Sequence, residues 1–304
     1  MSIEQLNSDF GLAGQLKIIE GRGGFPWIEI ANEKARALIS VYSGQVLSFH
    51  PRSEPEDLLF LSDKAFFQTG KAIKGGTPIC WPWFGPDPEG LGRPAHGFVR
   101  NRMWEISRSL TTDSGDTQVM LSLSDTPETQ SIWPHAFSLN LVVTVGDRLT
   151  VELLTHNTGD APFQITQALH TYFKIGDIHQ VQVLGLDGVE FLDKTQGGTQ
   201  KTQAGAVQIS GEVDRVYTNL PTPELVITDA SLNRRILITA QGSKTAIVWN
   251  PWAEVSAAMA DLDDADYQHF LCVETANAAE DVVAIAPGAV SSLVATYRVE
   301  RGLG

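Results

Sequence analysis

The sequence predicts an all-β fold, a large sandwich or barrel of antiparallel strands with a few short helices, and three observations predict it. Apolar and polar residues alternate with period 2 in many short runs, turn residues separate the runs, and helical periodicity is scarce. The clearest case is FSLNLVVTV (137–145), where Phe137, Leu139, Leu141, Val143 and Val145 share one face. RLTVELLTH follows after Gly146-Asp147, with Leu149, Val151 and Leu153 alternating against Thr150 and Glu152. A Gly-Asp pair between alternating runs predicts a hairpin with a two-residue turn.

Taken in chain order, strands are expected at PWIEIA (26–31), ARALISVY (35–42), TQVMLSLS (117–124), the two arms of that hairpin, and FQITQAL (163–169). Further strands are expected at ELVITD (224–229), RRILITA (234–240), TAIVWN (245–250), FLCVE (270–274) and SSLVATYRVE (291–300). TPETQSIW (126–133) and AEVSAAMADL (253–262) carry the helical patterning, and TQGGTQKTQAG (195–205) reads as a surface loop. No Pro/Gly/Ser linker or charge block divides the chain, so residues 1–304 are expected to form one domain.

Composition narrows the function classes. Apolar residues make up 42% of the chain, enough for a substantial core, and no run reaches the roughly 18 apolar residues of a membrane span. The start, MSIEQLNSDFGLAGQLKI, has neither a basic region nor an apolar h-region, so a cytoplasmic protein is expected. A net charge of −14 repels nucleic acid and anionic membrane, and any anionic ligand needs a local basic pocket. Cys80 and Cys272 form no CxxC pair and sit in apolar runs, so they read as buried, reduced thiols.

The chemistry concentrates in a few stretches. KGGTPICWPWFGP (74–86) packs Trp81, Trp83 and Phe84 among prolines and glycines that forbid a helix. Such aromatics either plug the end of a sandwich or wall a sugar site. In the following AHGFVRNRMWEI, a strand would put His96, Phe98, Arg100, Arg102 and Trp104 on one face. His170, in QALHTYFKIGD, is either a structural hydrogen-bonder or a catalytic group near a strand end. Glu274, in HFLCVETANA, is either a general base whose pKa burial raises or a carboxylate capping backbone N–H groups. Asp214-Arg215, in GEVDRVY, reads by itself as a surface ion pair. VWNPWAE (248–254) adds two tryptophans. No histidine has metal-ligand spacing, and no P-loop, GxGxxG or GxSxG occurs.

Six of these segments, KAIKGGTPICWPWFG, AHGFVRNRMWEI, ALHTYFKIGD, EVDRVY, VWNPW and CVETAN, occur in an order that resembles the aldose 1-epimerase (galactose mutarotase) superfamily, most closely its hexose-6-phosphate branch. They span roughly residues 70 to 280. The resemblance implies a β-supersandwich and a cofactor-free, metal-free exchange of the α and β anomers of a hexose 6-phosphate, glucose 6-phosphate first among them. It implies His170 as general acid, Glu274 as general base, Asp214 as a hydroxyl ligand, and Arg100, Lys74 and His96 as substrate contacts, with Arg93 or Arg102 as further candidates for the basic pocket. A monomer acting on a small phosphorylated sugar is expected. Two positions depart from the pattern: Lys74 stands where family members often carry arginine, and Ala95 precedes His96 where some use a polar residue. Lysine holds phosphate as a point charge without arginine's planar fork. A free-aldose epimerase, a non-catalytic carbohydrate-binding sandwich and a glycoside hydrolase using Asp214 with Glu274 are the rival readings.

Overall fold

Strands form where the alternation is strictest. In the computed structural model, which describes residues 1–302, Phe137–Val145 and Leu149–Asn157 pair along their whole length, and Thr117–Ser124 pairs throughout with residues 138–145. Positions 303 and 304 of the single domain expected from the sequence lie outside the described residues. The hairpin turn has three residues, not two, because Val145 pairs directly with Leu149. Both side chains are fully buried, so they must face the core together, and Gly146, Asp147 and Arg148 are left to close the turn.

The chain builds a nine-stranded and an eight-stranded antiparallel sheet, with a four-stranded sheet and a two-stranded ribbon beside them. One continuous core joins them: Leu141, Val143 and Val151 of the larger sheet lie in the same apolar cluster as Phe173, Val248, Leu271 and Val273 of the other. The four-stranded sheet includes Leu16–Glu20 and Gln45–Pro51, and the helix Ile3–Phe10 precedes it; none of the three was expected. Ser2 caps that helix, whose apolar face is short: Leu6 is buried, and Ile3 and Phe10 pack partly against the core.

Three other expectations change. FQITQAL splits at Thr166: Phe163–Ile165 pairs with Val283–Ile285, whereas Gln167–Leu169 joins the eight-stranded sheet. The second helix covers only Trp252–Ala257, because Leu262 turns in to pack with Phe60, Tyr172 and Phe270. Within the expected loop at 195–205, Thr199–Thr202 is an edge strand on Glu190–Asp193.

The inner strands of the eight-stranded sheet bury both faces, unlike its exposed edge strand Thr199–Thr202, and this creates the site. Along Phe270–Asn277, Leu271 and Val273 enter the sandwich core, while Phe270, Cys272 and Ala276 pack on the opposite face in separate clusters. Val213 and Tyr217 likewise enter the core while Val216 faces outward, and Val248 enters it while Ile247 and Trp249 do not. Irregular segments cover this outer face and leave a cavity on it. Among the described residues no helix is long and apolar enough to cross a membrane.

Candidate active site

The register of the eight-stranded sheet fixes the site's floor. Asp214 pairs with Trp249, Trp249 with Cys272, and Cys272 with Tyr172, so these four form one row across four strands. One pair further along, Val216, Ile247 and Glu274 form the next row. His170 lies between the pairings Leu169–Thr275 and Tyr172–Cys272, which brings it beside Glu274. Its Nδ1 stands 3.3 Å from Glu274 Oε1, off the direction of a hydrogen bond, and Glu274 Oε2 has no hydrogen-bond partner among the described residues.

KGGTPICWPWFGP wraps the exposed edge of this floor. The His170 N–H donates to Pro78 O and the Tyr172 N–H to Gly76 O, so the loop continues the sheet. Gly75 and Gly76 have φ of 111° and 62°, and a Cβ on them would lie 2.5 Å from Phe60 O and 2.1 Å from Val46 O. These two glycines let the loop pass against neighbouring strands. Gly85 is the one that lines the cavity. Trp81 and Trp83 are core residues, with Trp81 packed on Phe98, Trp133 and Phe137. Of the three aromatics only Phe84 reaches the cavity wall.

The segment 96–104 is not the strand expected. His96 and Gly97 are left-handed (φ 64° and 72°), and Val99–Asn101 forms a single 3₁₀ turn. His96 and Arg100 therefore line the cavity, while Arg102 points elsewhere and pairs with Glu128. Arg93 is bound to Asp87 and Glu89 over the Trp83 ring, also away from the cavity. Asp214 and Arg215 do not pair: their side chains leave opposite faces of one strand, and Arg215 lies over Phe191.

All six expected residues, Lys74, His96, Arg100, His170, Asp214 and Glu274, line one cavity of about 460 Å³. Tyr172, Lys194, Trp249 and Met259 join them. Tyr172 was legible, being two residues from His170 on the same strand face, and Trp249 follows Ile247 by the same alternation. Nothing in DKTQGG marks Lys194, which the fold brings in from a distant edge.

The cavity favours neutral forms of its two central groups. Burial pushes the Glu274 carboxyl well above the usual carboxylate range, with Asp214 adding to the shift and Arg100 opposing it. Burial pushes the His170 imidazole well below 6.5, and the charges of Arg100 and Lys74 press the same way. His170 is also stacked on Tyr172, with ring centroids 5.0 Å apart and planes 11° from parallel. His96 is held neutral, its pKa lowered to about 3 by burial and by Arg100 and Lys74. The Gly85 N–H donates to its Nδ1 (3.3 Å), so the ring proton resides on Nε2. Burial raises the pKa of Asp214, against the field of Lys194. Cys80 and Cys272 are buried and free, and burial pushes Cys80 up to about 12, the range of an inert thiol. Among the described residues no three His, Cys, Asp or Glu side chains cluster as metal ligands would.

A two-sheet antiparallel sandwich with a buried His–Glu pair, aromatic walls and a few cations defines a carbohydrate-active class. The aldose 1-epimerase family model matches residues 26–298, and the chain belongs to that family. It is 38% identical over 254 residues to "Putative glucose-6-phosphate 1-epimerase" of Escherichia coli K12, covering 83% of each chain. It is 39% identical over 261 residues to a protein of the same name from Cenchrus ciliaris, covering 83% of this chain and 78% of that one. The solved structure of "a putative mutarotase (YeaD)" from Salmonella typhimurium superposes with a TM-score of 0.89 at 33% identity, over 96% of both chains. The fold is thus the galactose mutarotase-like sandwich, and the protein is an isomerase that interconverts sugar anomers. Family membership sets aside the binding-module and glycoside hydrolase readings.

Proposed function

We propose that the substrate is a hexose 6-phosphate, glucose 6-phosphate first, and that His170 and Glu274 are the acid and base that open and reclose its ring. The observation that carries the catalytic reading is the 3.3 Å approach of His170 Nδ1 to Glu274 Oε1 on the floor of the cavity. Opening a pyranose needs a proton delivered to the ring oxygen and a proton removed from the C1 hydroxyl. Protonated His170 supplies the first and the Glu274 carboxylate takes the second. The product is the open aldehyde, neutral imidazole and protonated carboxyl. The pair holds one proton before and after, so the buried site never changes its total charge. Burial favours the neutral pair and so stabilises the site around the open-chain species. Rotation about C1–C2 turns the other carbonyl face to the C5 hydroxyl, and the same two transfers run backwards. Each group used in this way typically contributes about 10²–10⁴-fold.

The remaining residues take their roles from position. His96 Nε2–H donates to, and Asp214 accepts from, sugar hydroxyls, while Phe84 and Trp249 lie against the ring's C–H faces. The 6-phosphate is carried on C6, which is attached to C5 next to the ring oxygen, and is therefore placed on the His170 side. Lys74 and Arg100 are the cations whose fields act on His170, which supports them as the phosphate contacts. The names of the relatives support the same substrate. The chemistry needs only proton transfers, so no metal or cofactor is proposed. All proposed roles are filled from one chain, and we read the protein as a monomeric, cytoplasmic, single-domain enzyme. The test is the equilibration of pure α-glucose 6-phosphate and of α-glucose, followed in parallel by NMR with catalytic enzyme. Preferential acceleration of the phosphate is expected. Equal acceleration of both sugars would leave the anomerase and remove the phosphate preference.

A further inference from the structure

We propose that Asp261 sets the enzyme's affinity for the anionic group of its substrate by competing with that group for Lys74. This rests on the reading that Lys74 contacts a sugar phosphate. Lys74 Nζ lies 3.6 Å from Asp261 Oδ1, and the two side chains are only 17% and 22% exposed. The other polar contact of Nζ is Met259 Sδ at 3.8 Å. Among the described residues this ammonium therefore has two long polar contacts and no short hydrogen bond, although it carries three donors. Other lysines here are engaged more tightly: Lys64 reaches Asp263 at 2.6 Å and Lys201 reaches Asp193 at 2.8 Å.

The placement separates the two anions that want Lys74. Lys74 and Met259 line the cavity, whereas Asp261 stands behind them, on the turn that buried Leu262 anchors. Of the cavity's cations Lys74, Arg100 and Lys194, Lys74 is the one with a carboxylate within 4 Å among the described residues. Arg100 gives its Nη2 to Ala95 O and Lys194 is exposed at the rim. A phosphate oxygen arriving from the cavity offers Lys74 a short charge-assisted bond that Asp261 at 3.6 Å does not make. Drawing the ammonium toward it leaves a partly buried carboxylate less well paired, and this loss opposes binding. A neutral sugar leaves the Lys74–Asp261 pair in place and bears no such penalty. Asp261 therefore lowers the affinity for phosphorylated ligands selectively, in a protein whose net charge already disfavours them.

The test measures competitive inhibition of glucose 6-phosphate anomerisation by inorganic phosphate in four full-length proteins: wild type, Asp261→Asn, Lys74→Gln and the double variant. Asp261→Asn is expected to lower the phosphate inhibition constant by about three- to fivefold, the scale of a partly shielded ion pair, relative to the constant for glucose in the same protein. In the Lys74→Gln background the same change is expected to have no effect, which separates competition for Lys74 from a general change in charge. Asp263→Asn, which removes an equal charge from the same turn but pairs with Lys64, is the control and is expected to leave the constant within twofold, as about −1 of screened surface charge does. Weaker phosphate inhibition in Asp261→Asn would overturn the proposal and make Asp261 a support that positions Lys74. An equal effect in both Lys74 backgrounds would overturn it as well. A wild type insensitive to phosphate would overturn the substrate reading and this one together, whereas a sensitive wild type with an unchanged Asp261→Asn variant would overturn this one alone.

Discussion

His170 Nδ1 and Glu274 Oε1 stand 3.3 Å apart, and burial drives each group toward its neutral form. The two residues are 104 positions apart in sequence, and the strand register brings them together. In the proposed mechanism one shared proton is the working unit, and its titration belongs to the pair.

The pH profile follows from that proton. The pair gains a second proton at a pH set by the lowered His170 and loses its only one at a pH set by the raised Glu274. The plateau of activity is thus expected between a lower limb below 6.5 and an upper limb above 4.5, with Glu274 holding its proton longer than an exposed carboxyl. Arg100→Ala and Lys74→Ala each remove a positive charge that lowers His170, so the acid limb of kcat should move to higher pH in both. A pH–rate profile of each variant checks the direction.

Substrate discrimination tests the basic side of the cavity. Arg100→Ala and Lys74→Ala should lower kcat/KM for glucose 6-phosphate by about 10–100-fold, the scale of a lost hydrogen bond between charged groups, and should affect free glucose far less. Lys194→Ala separates the rim from the subsite and should give a smaller, salt-sensitive loss. Kinetics with both sugars at two ionic strengths decide this.

Stability should improve when the Glu274 carboxyl is removed. The native state holds the Glu274 proton to higher pH than the unfolded chain, so this group stabilises fully below its unfolded pKa and that contribution is lost as pH rises toward its folded value. Glu274→Gln has no such loss, and the unpartnered Oε2 becomes a neutral amide group. Its unfolding temperature should exceed that of the wild type by a few degrees, about 2 °C per kcal/mol for a chain of this size, and the gap should widen from pH 5 to pH 8. Thermal scans at both pH values measure it.

The aromatic loop divides into core and wall. Trp81→Ala should cost about 3–5 kcal/mol of stability, as truncating a buried aromatic does. Phe84→Ala should raise KM while changing stability by less than half as much. Denaturant titration alongside steady-state kinetics distinguishes the two.

The legible and the illegible parts of this molecule differ in range. Local alternation located Phe137–Val145 and Thr117–Ser124 to the residue, because one face of each strand is buried. It also mispredicted 96–104, where GFVRNR alternates but His96 and Gly97 turn left-handed, a feature that the nearby Pro94 and Gly97 signalled. The motifs marked six of the residues that line the cavity, since chemistry-bearing side chains stood in unusual company. They also suggested Arg93 and Arg102, whose carboxylate partners are distant or on another turn. Lys194 and Asp261 join the site only through the tertiary fold, which period-2 patterns do not encode.

The most direct test of the account is the rate of glucose 6-phosphate anomer exchange, by NMR, for wild type, Glu274→Gln and His170→Asn, with substrate binding measured on the same samples. The account predicts that each variant loses about 10²–10⁴-fold in exchange rate and still binds the sugar phosphate within a few-fold of wild type. Exchange within a few-fold of wild type in Glu274→Gln would contradict it.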